Sequence, residues 1–260
     1  KPDQGAGKTA GDRSSPFVLV NGVGMYGGFL GTESSRDPQG DNNQTILSGE
    51  INEDSELWSL NVVSGANLDA NTTLDGFRIT KGNANGSGFY ANGGGVYLSD
   101  SNLTVSNLVF TNNSAGSNGG GIFSSSSPSS YFSASLTLTD CVFTNNSAGN
   151  SGGGIYGHET YNYYSPSSSL TLTDCEFTNN SAGNRGGGIS SPTATASQTL
   201  TDCVFTNNSA SRGGGISCYS NLYLTNCVFT NNSASNDVGG GISLSNSSLT
   251  LTNCVFTNNT

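Results

Sequence analysis

The sequence predicts an all-β fold, a right-handed, single-stranded parallel β-helix with three short strands per coil, and three observations predict it. From residue 93 onward, Gly-Gly-Gly followed by Ile or Val recurs at 93–96, 119–122, 152–155, 186–189, 213–216 and 239–242. Phe-Thr-Asn-Asn recurs in step, at Phe110, Phe143, Phe177, Phe205, Phe229 and Phe256, usually after Leu-Thr-Leu-Thr-Asp/Asn-Cys-x. The interval between successive Phe residues ranges from 24 to 34, while the step from Phe to the next glycine triplet stays at 8 to 10, so length is free at one corner only. A unit repeated at this spacing is the mark of a solenoid.

Within a unit, Leu136-Thr-Leu138-Thr139 alternates with period two, and so does Cys141-Val-Phe143-Thr144, with Asp140 breaking the phase between them. Those are two strands and a turn. Gly154-Ile155-Tyr156 supplies the third strand. The position between Cys and Phe holds Val142, Val204, Val228 and Val255, but also Glu176, and Arg78 in an earlier unit; a site that accepts both charges faces water. Cys, Phe, both Leu and the Ile therefore point inward. Five such side chains cannot offset the backbone entropy of about 24 residues. Stability must lie between coils about 4.8 Å apart, where strands pair above and below and Asn and Thr form in-register ladders.

Three segments follow from this pattern. Residues 1–16 read as a polar N-terminal tail, 17–92 as irregular N-terminal coils, and 93–260 as regular repeat coils with no C-terminal cap. Phe17-Val-Leu-Val, Gly24-Met-Tyr-Gly-Gly-Phe29, Thr45-Ile-Leu-Ser-Gly49, Leu60-Asn-Val-Val63 and Leu74-Asp-Gly-Phe-Arg-Ile-Thr80 are the strands expected in the irregular part.

The net charge of −10 argues against nucleic acid as a partner, and no run of 18 apolar residues is present to insert into a membrane. Gly22-Val-Gly-Met-Tyr-Gly27 matches a dinucleotide fingerprint, but no amphipathic helix follows it. Gly149-Asn-Ser-Gly-Gly153 matches a nucleophile elbow, but the sister turns read Gly-Asn-Arg-Gly-Gly and Gly-Ser-Asn-Gly-Gly, which makes Ser151 a coincidence of the repeat. His158 is the single histidine and falls in the longest insertion. No catalytic, cofactor or metal site is expected. Asp140, Asp174 and Asp202, continued by Asn226 and Asn253, form a corner that reads as turn residues, with a cation such as Ca²⁺ as the alternative.

Five of the six cysteines, Cys141, Cys175, Cys203, Cys227 and Cys254, occupy one inward position and should form a column. A spacing of about 4.8 Å between coils exceeds the roughly 3.8 Å Cβ separation of a disulfide, so they read as small buried hydrophobes, with a pair to Cys218 as the alternative.

The alternation of Gly-Gly-Gly-Ile with Phe-Thr-Asn-Asn resembles the GGA(I/L/V) and FxxN repeats of the chlamydial polymorphic outer membrane proteins, with glycine where that family has alanine. Met25-Tyr-Gly-Gly-Phe-Leu-Gly-Thr-Glu33, Thr45-Ile-Leu-Ser-Gly-Glu50 and Leu74-Asp-Gly-Phe77 also look like the N-terminal coils of such proteins. The resemblance implies an autotransporter-passenger-like β-helix, secreted and displayed at the cell surface, with adhesion as its activity.

The expected role is thus a non-enzymatic, extracellular structural or adhesive protein. The connections after the Gly-Gly-Gly-Ile strand differ most, and a long loop on a rigid scaffold is where binding residues gather. Tyr131, Tyr161, Tyr163 and Tyr164 form the candidate contact surface, toward a host or neighbour-cell surface protein or glycan. The chain stops at Phe256-Thr-Asn-Asn-Thr260 in mid-coil, and a bare coil end suggests head-to-tail self-association into a filament. Two alternatives stay open: a polysaccharide-active enzyme, and an ice-binding solenoid using the Thr-x-Thr face of Thr137/Thr139, Thr171/Thr173, Thr199/Thr201 and Thr250/Thr252.

Overall fold

A computed structural model describes residues 9, 11–29, 45–51, 58–126, 134–160, 169–192 and 197–260, with backbone alone at 158–160 and 237. The chain is a parallel β-solenoid, and among the described residues its strands stack in four sheets, three of eight strands and one of six. One winding shows the plan. Ile122–Ser126 lies in the first sheet, Leu136–Thr139 in the second, Val142–Thr144 in the third and Ser147–Ala148 in the fourth. We call them the Ile, Leu, Phe and Ser-Ala sheets. The three expected strands are present, and the short Ser-Ala strand is a fourth.

Side chains that face the interior repeat in register from winding to winding. Phe110, Phe143, Phe177, Phe205, Phe229 and Phe256 stack face to face, with ring centroids 4.5 to 4.8 Å apart. The paired Leu residues as far as Leu224 and the Ile column as far as Ile216 are buried beside them, while on the Phe strands Val142 is half-buried and Glu176 exposed on the opposite face. Register explains the uniformity: in the Phe strands the inward Phe and the following Thr each lie over their own type one winding away, as in Phe143 over Phe177 and Thr144 over Thr178.

The corners are built by residues with positive φ. Asp140 (φ +52°) turns the chain between the Leu and Phe sheets, and Asn145 (φ +56°) turns it between the Phe and Ser-Ala sheets. Asp and Asn are the non-glycine residues that tolerate this region best, which is why, from residue 93 onward, the first corner uses Asp or Asn and the second Asn throughout. The glycine triplet makes the third corner. Gly152 has φ +71°, and a Cβ on Gly154 would lie 2.6 Å from Gly188 O and 2.9 Å from the Phe177 ring. Side chains are excluded there because the next winding's backbone and the Phe column already fill the space.

A second ladder runs inside the Asn corner. Asn113, Asn146, Asn180, Asn208, Asn232 and Asn259 each donate Nδ2 to a backbone carbonyl of the preceding winding, as Asn180 does to Phe143 O at 2.9 Å. The first five also donate Nδ2 to the Oδ1 of the next Asn at 2.9 to 3.1 Å. Buried amides are thereby paired from winding to winding, and the ladder acts as a polar spine within a dry core.

The irregular N-terminal strands join the same sheets. Phe17 pairs with Val63, Met25 with Leu74, and Leu47 with Ile79. The stretch before Phe17, read as a polar tail, is tied to the first windings: Arg13 Nε donates to Trp58 O at 2.6 Å, and the Leu60 N–H donates to Arg13 O at 2.8 Å.

Candidate binding surface

The outer face of the Ile sheet carries the chemistry that changes along the solenoid. Inward, the first position of its strands repeats Val or Ile. On the opposite side, the register Ser64, Tyr97, Phe123, Tyr156, Ser190, Ser217, Ser243 places three aromatic residues in the middle windings and serines on either side; Ser64 and Tyr97 are half-buried and the other five are buried. Tyr97, Phe123 and Tyr156 stack with centroids 5.3 Å apart at both steps. Burial, and secondarily the charge of Asp100, raise the Tyr97 hydroxyl above its ordinary pKa.

Two features extend the face. A single 3₁₀ turn, Gly88–Ala91, projects from the corner before Gly93 and carries Phe89 and Tyr90. Phe89 packs edge-on against Tyr97, with centroids 6.4 Å apart and planes at 78°. Farther along the solenoid, Arg185 lies 5.2 Å from the centroid of Tyr219. The register between the strands of Ser124 and Gly157 shifts by one residue at His158, which forms a bulge in the Ile sheet.

Tyr131, Tyr161, Tyr163 and Tyr164, the contact residues expected from the sequence, lie outside the described residues. Their loops leave from the ends of Ile122–Ser126 and Ile155–Thr160, in the sheet that carries the aromatic face. Sequence reasoning missed Phe89, Tyr90, Tyr97 and Phe123. A signal was present: eight residues separate Ala84 from Gly93, where three separate Ala115 from Gly119.

The cysteine column lies at the junction of the Leu and Phe sheets. Cys141, Cys175, Cys203 and Cys227 are buried, Cys254 is half-buried, and none forms a disulfide. Cys141 donates to Thr139 O at 3.2 Å, and the same contact recurs at Cys175, Cys203, Cys227 and Cys254. Burial pushes the Cys141 thiol well above its ordinary value. Cys218 stands in the Ile sheet, paired in register with Ser191 and Leu244, away from the column.

At the Asp corner, Asn226 donates to Asp202 at 2.9 Å and Asn253 to Asn226 at 3.3 Å. Among the described residues no group of three or more His, Cys, Asp or Glu has the arrangement to hold a metal. The outer file of the Leu sheet runs Thr104, Thr137, Thr171, Thr199, Tyr223, Thr250, so an exposed tyrosine stands within the threonine row.

Comparison with known proteins gives two matches. A family model described as right handed beta helix region matches residues 130–260, half of the chain. One described as Chlamydia polymorphic membrane protein repeat matches residues 107–125. No curated protein and no solved structure matches the chain.

Proposed function

This chain belongs to the right-handed β-helix family, and we propose that it works outside the cell as a non-enzymatic structural and adhesive surface protein, a stiff rod presenting one face for contact. The polymorphic membrane protein repeat supports a surface or outer-membrane-associated setting. One observation carries the reading. The inward Phe column and the inward Val/Ile column keep their residue type for winding after winding, whereas the corner before Gly93 exposes Phe89 and Tyr90 beside the half-buried Tyr97 at the edge of the Ile sheet. A scaffold that is constant inside and variable along one face is built to present that face. The partners that fit are a surface protein or glycan of a host or neighbouring cell.

Adhesion is tested by coating beads with the protein and measuring cell retention. Replacing Tyr131, Tyr161, Tyr163 and Tyr164 together by Ser should weaken retention while circular dichroism stays unchanged; full retention by that variant would remove the loops from the reading. Pectate or alginate incubated with the protein should yield no unsaturated uronic-acid product, and its appearance would contradict the non-enzymatic role.

A further inference from the structure

Between Ala84 and Gly93 the chain spends eight residues on a corner that the next winding closes with three, Gly116-Ser117-Asn118. Solenoid closure therefore does not need the extra length. What it adds is two aromatic rings in water: Phe89 is 77% exposed and Tyr90 is 50% exposed. Neither belongs to the core, so the stability of the fold does not account for them.

The turn is nevertheless held firmly. Gly86 N–H donates to Tyr90 O and Asn92 N–H to Phe89 O, both at 3.1 Å. Asn92 Nδ2 donates to Gly88 O at 3.2 Å, and Asn92 Oδ1 accepts from Asn118 N–H at 3.1 Å. From below, buried Asn61 donates Nδ2 to Asn92 O at 2.7 Å. An exposed aromatic ring fixed in this way is organised before a ligand arrives, so binding loses little conformational entropy.

Phe89 also divides space. On one side is a cleft of about 470 Å³ shared with Tyr90, Tyr97, Ser64 and Ser99. On the other is a cleft of about 340 Å³ shared with Phe123, Asn118 and Ser125. Both volumes lie in the range of small-ligand sites. None of the described residues lining either cleft is charged. The walls are aromatic faces, and the polar groups are hydroxyls and amides. A ligand that fits has an apolar C–H face to lie on a ring and several uncharged hydroxyl groups at its edge. Anionic polymers do not fit, because the chain carries a net charge of −10 and none of the described residues lining the clefts is a cation.

We propose that these paired clefts bind a neutral oligosaccharide that straddles Phe89, with Tyr97 and Phe123 as the floor of the two subsites. This rests on the adhesive reading and narrows it to one ligand class.

The test is calorimetric titration of the full chain with cellotetraose, mannotetraose, chitotetraose and xylotetraose, and with trigalacturonate and a proline-rich peptide as competitors of other chemistry. At least one neutral tetrasaccharide should saturate the protein. Phe89→Ala should weaken it by about tenfold, the size of one aromatic contact, whereas Phe89→Trp should retain it. Because Phe89 lies outside the core, both variants should unfold at the wild-type temperature. The proposal is overturned if no neutral saccharide binds at millimolar concentration, if Phe89→Ala binds as well as wild type, or if only trigalacturonate or the peptide binds. Bead retention measured beside the titration separates the two readings: retention by a wild-type protein that binds no neutral saccharide sinks this site and leaves the adhesive role standing.

Discussion

A single asparagine in each winding does more for this fold than its polarity suggests. Asn180 accepts from the N–H of Asn146 at 3.0 Å and from its Nδ2 at 3.1 Å, and donates to Phe143 O at 2.9 Å and to Asn208 Oδ1 at 3.0 Å. Asn180→Ala would leave the buried Asn146 N–H without its acceptor and break the amide ladder on both sides, so it should cost about 2–4 kcal/mol. Val204→Thr, on the outward face of the neighbouring strand, should stay within about 0.5 kcal/mol. Chemical denaturation of the two variants checks the contrast. The Asp corner offers a prediction with the opposite sign. Burial, then the neighbouring Asp174 and Cys175, raise the Asp140 carboxyl above its ordinary value of 3.8. A carboxyl that holds its proton more tightly when folded subtracts stability above its folded pKa; the penalty fades as the pH falls to the unfolded value. Asp140→Asn removes the charge and adds a donor of the kind Asn226 uses. It should therefore stabilise the protein at pH 7 by about 0.5 kcal/mol, and the gain should shrink toward zero near pH 3 in thermal melts.

At the scale of elements, the Leu, Phe and Ile strands were legible because each has an alternation long enough to show a face. Glu176 and Arg78 among the valines told inside from outside, and both lie on the outward side. The Ser-Ala strand was not legible. Two residues cannot show a period, and Ser147 and Ala148 are too small to mark a core; their strand is visible only through its pairing with Ser114–Ala115 and Ser181–Ala182. The aromatic face escaped for a related reason. Tyr97, Phe123 and Tyr156 are far apart in sequence, and only the winding register brings them together. The insertion at 85–92 can be tested as an element. Replacing it by Gly-Ser-Asn from 116–118 keeps an asparagine at the position of Asn92, and the unfolding midpoint should change by no more than about 1 kcal/mol equivalent. A large loss would mean that the turn supports the solenoid. The threonine file is an element too. Because Tyr223 breaks its flat row, thermal hysteresis should be absent, and a measurable freezing gap would restore the ice-binding alternative.

For the whole molecule, the consequence of stacking is that each winding depends on its neighbours and on nothing distant. Strand pairing joins successive windings from Phe17–Val18 to Val255–Thr257, so unfolding should spread from the ends inward instead of occurring in one step. Cysteine reactivity reads that order directly. Cys254 should react first with a maleimide, and Cys141, Cys175, Cys203 and Cys227 only as their windings open. The central claim, an in-register stack of parallel windings, is tested most directly by pulsed electron paramagnetic resonance. Spin labels attached through unnatural amino acids at Val109 and, in turn, Val204, Val228 or Val255 occupy one outward column. The separation should grow by about 4.8 Å per winding, reaching about 24 Å for Val109 and Val255. Distances that do not rise evenly with winding number would contradict the solenoid.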